Sequence, residues 1–156
     1  MSVPPNRLPF NPAPRDFEGH PMPQSVPAGM RLELSRARVL AGEEDGLGEW
    51  MQMLNSRPEE LQEGLSAERS VFEAIFRSDE TDGSTWIYHL ALAGVDGGPN
   101  DENIPVDADH ATYSRRVKEP GWEELTPLFM LTPAHLLRHM VHWAETGTAD
   151  RGPMEV

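Results

Sequence analysis

The chain contains no cysteine, which excludes disulfides, thiolate metal sites and a cysteine nucleophile together. Lysine is almost as scarce: of 13 basic residues 12 are arginine and only Lys118 is lysine, a bias attributable to a GC-rich coding sequence. Positive charge of any kind is in short supply, because 26 acidic residues against 13 basic ones leave a net charge of −13. That field repels phosphate backbones and anionic membrane surfaces, so neither nucleic acid nor a membrane is an expected partner. The acidity reads as a solvating surface. No apolar run reaches the roughly 18 residues that a spanning helix needs, and no basic segment followed by an apolar one marks a secretory signal. A cytoplasmic protein is expected. The phosphate-binding glycine loops, G-x-S-x-G and H-E-x-x-H are missing too, which leaves nucleotide, nucleophile-elbow and zincin readings without support.

What the chain does have begins with proline. Residues 1–29 hold 8 of its 15 prolines and no apolar periodicity, so they form neither a helix nor a central strand and read as a disordered arm. Leu8, Phe10 and Phe17 could anchor such an arm on a partner subunit, or Met30 could be the true start. Residues 30–146 form the expected domain, and residues 147–156 a flexible tail.

From Met30 the texture changes. MRLELSRARV alternates, with Met30, Leu32 and Leu34 on one side and Glu33, Ser35, Ala37 and Val39 on the other, which predicts a strand. Leu47, Trp50, Met51 and Leu54 then recur at helical spacing, giving an amphipathic helix over 43 to about 57 with acidic residues at its positive end. Pro58 starts a second helical piece that turns Leu61 and Leu65 inward. Residues 70–78 and 84–93 are β-branched and aromatic around an Asp82-Gly83 turn, a hairpin. A helix over about 106–118 follows, then a strand over 125–131 held to an edge or bulge by Pro127, then a helix from Thr132-Pro133 to about Ala144.

This β-α-β-β-α-β order with an extra C-terminal helix is that of a ferredoxin-like α+β protomer, a four-stranded antiparallel sheet with both crossover helices on one face. The hairpin is apolar on both sides, so the uncovered face also needs a cover. A second copy packed sheet to sheet, the C-terminal helix or the arm could supply it. The dimer is the favoured answer.

The phrases MRLELSRARVLAGEED, EWMQMLNSR, FEAIFR, DGSTWIYHLALAG, DHATYSRRV and LTPLFMLTPAHL resemble, in this order, a small uncharacterised bacterial family related to the dimeric α/β-barrel proteins. The resemblance spans about residues 30–140. It implies a ferredoxin-like protomer, a homodimer closed through its sheets as a dimeric α/β barrel, and a small-molecule cavity between sheet and helices. The wider group holds cofactor-free monooxygenases of antibiotic biosynthesis, polyketide cyclases, sugar mutarotases, haem-degrading enzymes and members without known activity, so fold alone does not choose the function. This chain departs from the pattern in its long arm, in His89 where a large aromatic is expected, and in His139 and His142.

Among candidate site residues, His89 lies mid-strand between apolar neighbours, where burial favours the uncharged imidazole that a general base needs. Glu73 and Glu33 are carboxylates written into apolar strands and must be solvated, paired or functional; Arg36, Arg38 or Arg77 could neutralise them. His89 and Glu73 are the expected catalytic pair. Glu33, Trp86 and Tyr88 are expected to line a pocket with His110 and Tyr113 at its mouth. Ordinary core packing and structural pairing are the competing accounts. His135, His139 and His142 stack on one helix side, but about 10.5 Å of helical rise between the first and last keeps one ion from taking all three. With Leu136, Met140 and Trp143 buried, those histidines face solvent, and no metal or cofactor is expected. The expected function is small-molecule binding, with cofactor-free oxidation, isomerisation or cyclisation. A non-catalytic protein that uses its sheet only to dimerise is the alternative.

Overall fold

A computed structural model describes residues 7–8 and 20–151. Its elements are β1 (Arg7–Leu8), β2 (Met30–Arg38), α1 (Glu44–Ser56), α2 (Pro58–Glu68), β3 (Ser70–Asp79), β4 (Thr85–Gly94), α3 (Pro105–Val117), β5 (Trp122–Leu125) and α4 (Ala134–Thr146). The strands form one antiparallel sheet in the order β1-β5-β2-β4-β3, so the fold is α+β with four helices beside a four-strand sheet and a two-residue strand added at its edge.

Local chemistry explains most of these boundaries. Pro58 separates α1 from α2 because it supplies no N–H to continue the first helix and opens the second at N1. Arg57 at the junction reaches Glu60 and Asp109 at 2.5 Å each, tying the corner to α3. The β3–β4 hairpin closes where the Asp82 carboxylate accepts the Ser84 N–H at 2.9 Å.

The register separates the residues of the sheet into two faces, since successive side chains point to opposite sides. Ser35 pairs with His89 and with Glu124, and Ala37 with Ile87, on one face. Helices α1 and α3 cover it, and Ala37, Val39, Leu47, Trp50, Ile87 and Val117 form its core. Leu32 pairs with Leu92, Leu34 with Leu90 and Phe76 with Tyr88 on the other face. Helix α4 covers one end of that face through Met140, Val141 and Ala144, which pack with Met30, Leu32 and Leu92.

Residues 20–29, assigned to the arm by composition, join this second core: Val26 is buried and Met22 packs beside it. Of Leu8 only the strand backbone is described, and Phe10, Phe17 and residues 152–156 lie outside the described residues. The expected strand over 125–131 is corrected. The strand is Trp122–Leu125, and residues 126–133 leave the sheet at Pro127, which has no N–H for a ladder. Met130 packs back against the second core, while Leu128 and Leu131 are each 82% exposed. The buried stripe of α4 is also shifted by one position. Met140, Val141 and Ala144 carry it, while Leu136 is exposed, and the Trp143 Nε1–H donates to the Ser70 carbonyl at 2.7 Å. Pro133 rather than Thr132 occupies the N-cap.

The docking of α4 depends on Gly94. A Cβ there would meet the Ala144 carbonyl oxygen at 2.1 Å and its carbon at 2.9 Å, backbone atoms that no rotamer change can move. Gly94→Ala should therefore cost about 1–3 kcal/mol and loosen α4, measurable as a lower urea midpoint with faster hydrogen exchange in 134–146.

Candidate functional site

Helix α3 turns an unusually polar stripe toward the sheet. Asp107 and Ser114 are buried on it, with His110 partly covered between them, and Lys118 is buried just past its end. Opposite lie Ser35, His89 and Glu124 in one cross-strand row, and Trp122 stands 6.0 Å from the His89 ring, centroid to centroid. Lys118 is satisfied locally: its Nζ donates to the carbonyls of Glu119 at 3.0 Å and Gly121 at 3.1 Å and sits over the Trp122 ring. Two other groups are not satisfied. Asp107 Oδ2 and Ser114 Oγ are buried with no hydrogen-bond partner, and Asp107 and Ser114 expose only 7% and 2% of their surfaces. A buried polar atom left without a partner costs about 1–3 kcal/mol, so seams of this kind are rare unless something polar enters them.

The protonation states are set by burial. The Trp50 Nε1–H donates to His110 Nδ1 at 2.8 Å, which places the proton of a neutral His110 on Nε2. Burial, with His89 nearby, drives the pKa of His110 down to about 4, so it is uncharged at neutral pH. Burial together with the Glu73 and Asp107 charges drives Glu68 the other way, up to about 8. Asp107 is also raised, by burial first and then by Glu73 and Asp101. Glu68 on α2 thus keeps its proton at pH 7, and His110 on α3 does not take one. Such divergent acids and bases are what proton-transfer chemistry uses.

The sign of the pH dependence follows. Glu68 has a raised folded-state pKa, so the stability it contributes is complete below about 4.5 and is lost as pH rises through about 8. His110 has a lowered one, so its contribution is complete above about 6.5 and is lost as pH falls through about 4. Between pH 6.5 and 8 only the Glu68 effect of this pair remains. Wild-type stability should fall across that interval by up to about 2 kcal/mol, and Glu68→Gln should flatten the fall in thermal melts.

The sheet divides the residues singled out from the sequence. His89, Glu73 and Glu33 share the helix-covered face, and His110 and Tyr113 meet that face from α3. Trp86 and Tyr88 lie on the other face, apart from Glu33, His110 and Tyr113, with which they were expected to form a pocket. There the Arg36 guanidinium sits over the Trp86 ring and donates to the Tyr88 hydroxyl. The expected neutralising arginines are engaged elsewhere: Arg36 with Glu123 at 2.7 Å, Arg38 with Asp82 and Arg77 with Asp79. Glu33 pairs instead with Arg31 at 3.2 Å. Glu73 is exposed and makes no ion pair among the described residues. Tyr113 packs on the α1 core with Arg116 over its ring. His135 and His139 are exposed on α4, with His139 Nδ1 3.8 Å from Asp150.

Glu68, Asp107 and Ser114 were not singled out from the sequence, because a carboxylate or serine on a helix ordinarily reads as solvated. Gly64, out of place in the middle of a helix, was the available signal. An open depression of about 380 Å³ between residues 23–25 and Leu128 and Phe129 lies apart from these groups and has no titratable side chain in its walls. No described helix is long and apolar enough to cross a membrane.

A family model matches residues 30–138, which is the whole sheet apart from β1 together with α1, α2, α3 and the start of α4. The chain belongs to the family of unknown function DUF6176. No curated protein and no solved structure matches it. The DUF6176 match includes the α3 seam and the α2 carboxyl, and it leaves out the first 29 residues and most of α4.

Proposed function

We propose that this DUF6176 protein is a cytoplasmic homodimer of ferredoxin-like protomers, a dimeric α/β barrel, that binds a small organic molecule in the seam between α3 and the sheet. On it the protein moves a proton without a cofactor, as in an isomerisation or cyclisation. The strand order β5-β2-β4-β3, with α1 and α3 on one face, supports the protomer reading. Phe76, 55% exposed in the lone protomer, and Leu128, Phe129 and Leu131 beside the sheet support the dimer, since a patch of such residues is unfavourable in water.

One observation carries the ligand reading: Asp107 Oδ2 and Ser114 Oγ are buried and unpartnered on the α3 stripe that also carries His110, which lies near His89. In this reading His89 is the base, Glu73 polarises it from the neighbouring strand, and the His110 Nε2–H and protonated Glu68 donate to the substrate. Native mass spectrometry of freshly isolated protein tests it. A small molecule should be retained by the wild type and lost in His89→Ala and Ser114→Val; retention unchanged in both variants, or a wild type that carries and captures nothing from a metabolite extract, refutes it. The exposed apolar sheet face also fits a second reading, a non-catalytic interaction protein, which predicts a dimer with no retained molecule.

A further inference from the structure

An outer strand presents unpaired N–H and C=O groups along its length, and proteins that stay apart blunt such edges with short strands, proline or a covering segment. This sheet blunts one edge and leaves the other open. Strand β5 is four residues long, has β1 beside it and is soon followed by Pro127. At the opposite edge β3 is ten residues long, contains no proline or lysine, and has no strand beyond it among the described residues. One irregularity interrupts its pairing with β4, between Ser70 and Phe72. Past it the strand is regular, with Phe72, Glu73, Phe76 and Arg77 exposed.

The order of side chains along this edge is complementary to itself. Glu73 and Arg77 lie on one face, two residues either side of Ile75. A second β3 laid antiparallel on the edge, with the twofold axis at Ile75, sets Glu73 of each copy opposite Arg77 of the other. The same axis sets Phe72 opposite Ser78 and Ala74 opposite Phe76, which brings the exposed phenylalanines of both copies into one row of diagonal neighbours. It also leaves the irregular Val71 at the end of the paired stretch, opposite Asp79. Neighbouring registers are worse. An axis at Ala74 sets Glu73 against Ile75, and one at Phe76 sets Glu73 against Asp79, like charge on like. Glu73 has no ion pair among the described residues, and its charge bears on Glu68 and Asp107. Arg77 touches Asp79 at 3.0 Å in a contact open to solvent, and its five N–H donors leave room for a second carboxylate.

We propose that the β3 edge is an interface between copies of this chain, two β3 strands pairing antiparallel about Ile75 so that the sheets of two protomers run on as one. The contact is made through the strand backbone, so it stands independently of any second sheet laid on the open face. An edge contact buries little area, and a dissociation constant on the order of 0.1 mM is expected.

Sedimentation velocity of the full chain in about 150 mM salt, from about 10 µM to about 1 mM, tests it. Wild type should rise to at least twice the mass that it holds at the lowest concentration, whichever species that is. Glu73→Arg and Arg77→Glu each place like charges opposite one another, and each alone should stay at the lower mass. An equimolar mixture of these two variants, and the variant carrying both substitutions, again face opposite charges and should recover the rise. The proposal is overturned if wild type shows no rise, if either single variant rises as wild type does, or if neither the mixture nor the double variant recovers it.

Discussion

Phe76→Glu should turn a dimer into a monomer that is still folded. Phe76 sits at mid-strand on β3, opposite Tyr88, on the sheet face that α4 leaves open, and more than half of its surface is exposed in a lone protomer. Burial of a phenylalanine against a second sheet stabilises by about 1.5–3 kcal/mol when complete, and a twofold contact counts it twice. Glutamate removes that gain and adds two carboxylates that would be buried without partners. Together these should weaken association at least ~100-fold, enough to separate the protomers at micromolar concentration. Because the side chain is solvent-facing within one protomer, far-ultraviolet circular dichroism should not change. A variant that stays dimeric in light scattering would show that this face is not the junction.

Trp50→Ala should be the most damaging single substitution to the protomer. Trp50 is 1% exposed at the centre of the α1 core and bonded to His110. Removal of a large aromatic from such a place costs about 3–5 kcal/mol, a large share of the stability of a domain this size. Trp50→Phe separates volume from hydrogen bonding. It keeps most of the ring but leaves His110 Nδ1 without its donor, at a cost of about 1–3 kcal/mol. In that variant the imidazole tautomer is no longer imposed, so 15N shifts of His110 should report a mixture of Nδ1–H and Nε2–H forms. A single Nε2–H form in Trp50→Phe would mean that another group sets the tautomer.

These two residues mark what sequence reading reaches and what it does not. Helical spacing with Leu47 and Leu54 places Trp50, and β2, α1, the start of α2, the hairpin and α3 follow from periodicity and turn chemistry within one or two residues. β5 was misplaced for a physical reason. WEEL looks like a polar loop until Arg36 reaches across the sheet at 2.7 Å and makes Glu123 a buried group, whereas the more apolar LFML is turned out of the sheet by Pro127. The separation of Trp86 and Tyr88 from His89 was available from alternation along a single strand. The Glu68, Asp107 and Gly64 constellation was not, since it joins α2 and α3 only through their packing, and packing carries no local signature.

Sedimentation velocity on the wild-type protein, over a hundredfold range around micromolar concentration, tests the central claim that the sheet works on both faces, one for the site and one for a second copy. The account predicts a single boundary at twice the protomer mass that persists to the lowest concentration. A stable protomer throughout that range, with Phe76, Leu128 and Leu131 left in water, would contradict it.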